Sequence, residues 1–167
     1  MARTIRNIRI EDDVAYVPLS KGLEAIIDAD DYQLVAGINW YAQKSGRTFY
    51  AKTNLARANG RQGFLQMHTL ITGFDITDHI DGDGLNNRKC NLRPATKKEN
   101  MRNRRIMSNN TSGFKGVTLR KDIGMWQARI MVDRKSFSLG FYASPKEAHD
   151  AYCRASREMH GEFGRTE

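Results

Sequence analysis

The chain has 167 residues, 40% of them hydrophobic, and carries a formal net charge of +8 from 27 Lys and Arg against 19 Asp and Glu. That length suits one ordinary domain or two small ones with thin cores, and the basic balance favours a polyanionic partner, either nucleic acid or an acidic membrane surface. Only Cys90 and Cys153 are present. Two distant thiols exclude a four-thiolate zinc site and a disulfide framework, so a reduced, cytoplasmic protein is expected. No apolar run nears the roughly 20 residues of a membrane span, and the opening residues run into charge rather than into the apolar core of a signal peptide.

Residues 3–66 read as strand-rich. Short β-like runs at 8–10, 15–19 and 24–27 are broken by Lys21-Gly22 and by Asp28. Residues 30–37 are predicted as one short helix with Tyr32 and Val35 inward. Asn39-Trp40-Tyr41 then leads across Ser45-Gly46-Arg47 to Thr48-Phe49-Tyr50-Ala51, a hairpin signature in which the glycine supplies positive φ. From Leu65 to Ile71 the pattern is helical, and His68 is expected to pack that helix against the hairpin.

Residues 78–105 are rich in Asp, Asn, Gly and Arg. Here Asp78-His79-Ile80-Asp81-Gly82-Asp83-Gly84 is followed by Cys90-Asn91-Leu92-Arg93, and a capping box, Thr96-Lys97-Lys98-Glu99, opens a helix with Asn100 near its first turn. The expected unit is a hairpin running into a helix, with Asp78, His79, Asn91 and Asn100 converging. Asp81 and Asp83 do not make a calcium loop, since the spacing ending in Glu is absent. The residue types suit phosphodiester hydrolysis. His79 titrates near neutral pH and can activate water, and the side-chain carbonyl of Asn91 can hold its tautomer. Asp78 and the Asn100 amide oxygen are hard ligands for one divalent ion, Mg²⁺ or Mn²⁺. Neighbours on a regular strand face opposite ways, so the strand must bend or end at Asp78-His79, with Gly82 and Gly84 permitting the loop.

These residues resemble the HNH motif of intron-encoded and free-standing phage homing endonucleases, and Pro18-Leu19-Ser20-Lys21-Gly22 and Asn39-Trp40-Tyr41 resemble the region that precedes it. The resemblance implies metal binding by Asp78 and Asn100, a general base in His79 and an orienting role for Asn91. It also implies cleavage of double-stranded DNA to a 5′ phosphate and a 3′ hydroxyl, in the cytoplasm of a phage host or bacterium.

Residues 106–113 read as a polar linker. Beyond it, Val117 and Leu119, then Trp126, Ala128, Ile130 and Val132, then Phe137, Leu139 and Phe141 predict three alternating strands. Ser144-Pro145-Lys146-Glu147 predicts a capped helix whose stripe is Ala148, Ala151, Tyr152, Ala155 and Met159, ending before Gly161. Lys115-Gly116-Val117, Trp126, Leu139-Gly140-Phe141, Ala151-Tyr152 and His160-Gly161 resemble the AP2 domain, which implies a sheet face lying in the major groove. Alternation puts Gln127, Arg129 and Met131 on that face, flanked by Ser136, Ser138 and Arg120, with Lys115 at the strand start near phosphate. Arg102, Arg104 and Arg105 are placed to track the DNA backbone.

The expected fold is α+β. An HNH endonuclease domain spans 1–105, with a strand-rich part over 1–66 and a ββα-metal core over 67–105, followed by a linker over 106–113 and an AP2-like three-stranded antiparallel sheet plus one helix over 114–167. A monomer or homodimer with no obligatory protein partner and no membrane is expected. The competing readings are a non-catalytic DNA-binding regulator and, with few candidate stacking aromatics, an RNA-binding protein.

Overall fold

The structure, a computed structural model, describes residues 6–57, 60–107 and 109–166. The opening segment and Ser108 of the expected linker lie outside them. The fold is mixed α+β, with small antiparallel sheets and few helices, in two compact units, one up to Thr96 and one from Lys97 onward. No helix among the described residues is long and apolar enough to cross a membrane.

In the first unit, β1 (Arg9–Glu11), β2 (Val14–Pro18) and β3 (Glu24–Asp28) form a meander. Alternation turns Ala15, Val17, Ala25 and Ile27 inward. The segment predicted as one helix over 30–37 is shorter: a 3₁₀ turn leads into α1 (Tyr32–Val35), which stops where Ala36 turns extended. Trp40 is core, with its indole N–H donating to Val35 O at 3.1 Å. The expected hairpin is β4 (Tyr41–Ser45) and β5 (Thr48–Asn54). Leu65 is not helical: it lies in β6 (Phe64–Gln66), paired with Thr53 of β5, and α2 (Met67–Thr72) begins only after that strand. Both sheets, α1 and α2 share one core around Trp40, Ile27 and Met67. The unit closes with β7 (Thr77–His79) paired antiparallel to β8 (Leu92–Pro94).

The second unit contains α3 (Lys97–Arg102), then β9 (Val117–Arg120), β10 (Met125–Val132) and β11 (Lys135–Tyr142), with β10 central, and α4 (Pro145–His160). The predicted capping box is formed: Glu147 N donates to Ser144 Oγ at 3.2 Å, and Ser144 N donates to Glu147 Oε2 at 3.3 Å. The helix stripe departs from expectation at its end. Ala148, Ala151, Tyr152 and Ala155 are buried, but Ser156 and His160 follow them inward while Met159 is 42% exposed. His160 Nε2 lies 3.0 Å from Met131 O, which draws that face of the helix to β10. A bulge between Ala128 and Arg129 of β10 leaves Leu139 of β11 without an opposite residue. Parity flips there, so Phe141, read as an inward residue, sits opposite Gln127 and is 42% exposed.

Candidate functional site

His79 ends β7, and the chain turns at once, with Gly82 N donating to His79 O at 2.9 Å. The required end of the strand is therefore where the sequence demanded it. The ring of His79 is buried in an edge-to-face cluster, 5.0 Å from the ring of His68 on α2 and 5.7 Å from that of Tyr50 on β5. Burial lowers the pKa of His79 below 6.5, although a bond to Asn87 and the charges of Asp81, Asp78 and Asp83 work the other way. His68 is driven lower still, to about 3, by burial, by His79 and by Lys52. Burial thus favours the neutral form of both rings.

The amide oxygen that meets the His79 ring belongs to Asn87: Nε2 lies 3.3 Å from Asn87 Oδ1. Asn87 is fully buried, and its amide is oriented by donating Nδ2 to Leu85 O at 3.1 Å. An acceptor at Nε2 calls for the proton on that nitrogen, which leaves the lone pair on Nδ1. Asn91, which the resemblance casts as the orienting residue, instead braces the loop. It accepts from Asp81 N at 3.0 Å and donates to Asp81 Oδ1 at 3.0 Å and to Asn86 O at 2.8 Å.

The loop is also fastened to its surroundings. Asn87 N donates to Ile26 O at 2.7 Å, which continues the edge of β3. Arg88 and Lys89 reach Asp28 and Asp31, at 2.8 and 2.6 Å. Burial opposes the Asp28 carboxylate, but bonds from Lys89 N and Arg88 outweigh it and keep its pKa below the usual range. Gly84 lies flush on β5, where a Cβ would come within 2.5 Å of Phe49 O and 2.6 Å of the Tyr50 ring. Asp78 is 2% exposed, and Arg93, its register partner on β8, donates Nε and Nη2 to Oδ2 at 2.9 and 2.8 Å.

In the second unit the predicted outer face is formed by β9–β11. Arg129 and Met131 are exposed over buried Ala128 and Ile130, and they lie opposite Ser138 and Ser136. Gln127 donates to Ser138 Oγ at 3.3 Å. Arg120 is held by both oxygens of Asp122, at 2.9 and 2.6 Å, and stands 5.9 Å from the Phe141 ring. Arg104 and Arg105 are exposed, and Arg102 is half-buried with Nη2 4.0 Å from Asp133. Lys115 does not point outward at the strand start: its ammonium donates to the carbonyls of Arg102 and Arg104.

Comparison with known proteins supplies a relationship. Over 88 residues, covering 53% of this chain and 72% of the relative, the sequence is 38% identical to protein 3.8 of Escherichia phage T7. The chain belongs to the protein 3.8 family. A more distant relative, 28% identical over 166 residues and covering 92% of this chain and 81% of its own length, is named an uncharacterized HNH endonuclease of Acanthamoeba polyphaga mimivirus. No family profile matches, and no solved structure matches.

Among the described residues of this protein 3.8 family member, no three His, Cys, Asp or Glu side chains form a group that could hold a metal ion. The set implied by the HNH resemblance is of another kind, one carboxylate and one amide oxygen. Mg²⁺ keeps several waters and takes one or two carboxylates plus substrate phosphate. The carboxylate of that set is Asp78, which Arg93 already pairs at Oδ2. Asn100 lies on α3, in the second unit. Asn87, Tyr50 and Arg93 were not singled out by sequence. Their signal is the cross-strand and ring geometry, which a one-dimensional pattern lacks.

Proposed function

We propose that the chain is a metal-dependent DNA endonuclease of the HNH kind, a homing-type or free-standing phage enzyme that hydrolyses duplex DNA to a 5′ phosphate and a 3′ hydroxyl. The observation that carries this reading is His79: buried, neutral, held at Nε2 by a locked amide and adjacent in sequence to a buried carboxylate. Its Nδ1 lone pair accepts a proton from the attacking water. Asn87 is the group that fixes the ring, and Asn91 contributes by holding the loop that carries Asn87. Asp78 would supply a carboxylate to one Mg²⁺ or Mn²⁺, which when bound neutralises charge on the phosphoryl and departing 3′ oxygens, and Asn100 is the further ligand that the HNH resemblance implies.

The domain assignment that goes with this activity is an HNH domain over 1–105, a linker over 106–113 and an AP2-like domain over 114–167. Gln127, Arg129, Met131, Ser136, Ser138 and Arg120 meet the major groove, and Arg102, Arg104 and Arg105 meet phosphates. The mimivirus relative's name supports the nuclease half of this proposal. The buried Asp78–Arg93 pair favours a second reading, a DNA-binding regulator with a scaffold-only core, because the arginine already neutralises the carboxylate.

Incubation of supercoiled plasmid with the protein and Mg²⁺ separates the two. Nicked or linear product that vanishes with chelator, with 5′-phosphorylated ends on sequencing, is expected. Retention of plasmid on the protein without any cutting would leave only the regulator.

A further inference from the structure

We infer that Lys115 serves DNA binding as a positioning residue, clamping the carbonyls of Arg102 and Arg104 and thereby ordering the arginine-bearing end of α3, rather than touching a phosphate itself. The consequence for DNA rests on the DNA-binding reading above; the clamp rests on geometry alone.

Three observations converge within the second unit. First, the corner that carries Lys115 is rigid. Gly116 has φ +73°, and a Cβ there would fall 2.1 Å from the Tyr152 ring and 2.8 Å from Arg129 O, so only glycine fits. Gly116 O accepts from Arg129 N at 2.8 Å, and Lys115 O lies 3.4 Å from His149 Nδ1 on α4. The lysine is thus built on a platform fixed to both β10 and α4.

Second, the ammonium reaches back from that platform to the chain leaving α3. Nζ donates to Arg102 O at 2.8 Å and to Arg104 O at 2.7 Å. The last carbonyls of a helix lack intrahelical partners, and a lysine is a suitable donor to them. Asn103 N and Arg104 N meanwhile donate to Glu99 O and Met101 O, so the clamp acts on backbone that is already turned back toward the helix. With the carbonyls held inward, Arg104 and Arg105 are exposed.

Third, the surroundings are wrong for a lysine that meets solvent and phosphate. Burial, with Arg165 adding to it, pushes the Lys115 pKa down to about 8. Burial lowers the His160 pKa, and the charges of Arg102 and Lys115 add to it against the bond to Met131 O. An ammonium held among cations persists because its donors are satisfied, and here the acceptors are the two carbonyls.

The test uses the full chain and a short synthetic duplex of mixed sequence. Each lost phosphate contact removes about 0.9 from the slope of log K against log salt. Lys115→Met should remove more than that, approaching the loss in the Arg102→Ala, Arg104→Ala, Arg105→Ala triple variant, and should add nothing within the triple variant. A loss of about 0.9 in both backgrounds would overturn the inference, because that is the signature of a direct contact. Amide exchange without DNA supplies the second arm. The Asn103 and Arg104 amides should exchange at least about tenfold faster in Lys115→Met, with β10 and α4 unchanged, and Lys115→Arg, which keeps donors and charge, should restore protection. Unchanged exchange at those amides sinks the clamp. Should the wild-type protein fail to retain the duplex, the DNA reading falls while the exchange arm still decides the clamp. If Lys115→Met does not fold, Lys115→Gln takes its place in both arms.

Discussion

The loop from His79 to Asn91 and the sheet β9–β11 are ordered by different means. In the loop, Asp81, Asn86, Asn87 and Asn91 bond to one another and to backbone, and Asn87 and Asn91 are buried in doing so. In the sheet, apolar residues alternate with solvated ones, and the outer side chains bear little of the fold. A polar network tolerates the loss of a member poorly, because each partner left behind pays its own desolvation. A solvated face tolerates nearly any side chain. The site where we place chemistry is thus the part of the molecule least able to drift, and the face where we place recognition is free to change.

The largest expected effect breaks the sheet unit where Gly116 approaches Tyr152 and Arg129 O. Gly116→Ala should cost about 3 kcal/mol or more, through overpacking against Tyr152 and a positive φ, with protection lost first in β9–β11. Asn87→Leu sharpens the loop side. It removes the partner of His79 Nε2 at nearly constant volume, should cost about 1–3 kcal/mol in denaturant melts, and should slow cutting by about tenfold or more at temperatures where the variant is folded.

His68 provides a pH signature. Its folded pKa of about 3 lies below the ordinary 6.5, so the unfolded chain binds more protons between those values. Stability should therefore fall as pH drops from 6.5 toward 3, by at most about 1.4 kcal/mol per pH unit from this group. His68→Phe should flatten that part of the curve. The smallest effect is on the sheet: Arg129→Ala should leave stability within about 0.5 kcal/mol and lower the salt slope of duplex binding by about 0.9.

Much of the sheet unit was legible in the sequence because it follows two periods, and the Ser144–Glu147 cap was legible because capping is local. The Phe141 error has a definite cause. The unopposed Leu139 shifts parity by one residue, and Gly140 beside it has φ +120°. In the first unit His79 is legible as a candidate from its residue type and motif, while the amide that meets its ring, Asn87, is one asparagine among several. Which amide reaches the ring depends on how residues 85–87 run along the edge of β3, a pairing 60 residues distant in sequence from Asn86 to Ile26. Lys115 was misread for a related reason: a basic residue beside a strand looks solvent-bound until the carbonyls it meets are in place.

The central claim is tested most directly by His79→Ala, assayed for plasmid cutting and for duplex retention in the same preparation. Cutting should fall by about 10²–10⁴ while retention stays close to that of the parent protein. Equal cutting by the two proteins would contradict a base at His79 and, with it, the chemistry assigned to this loop.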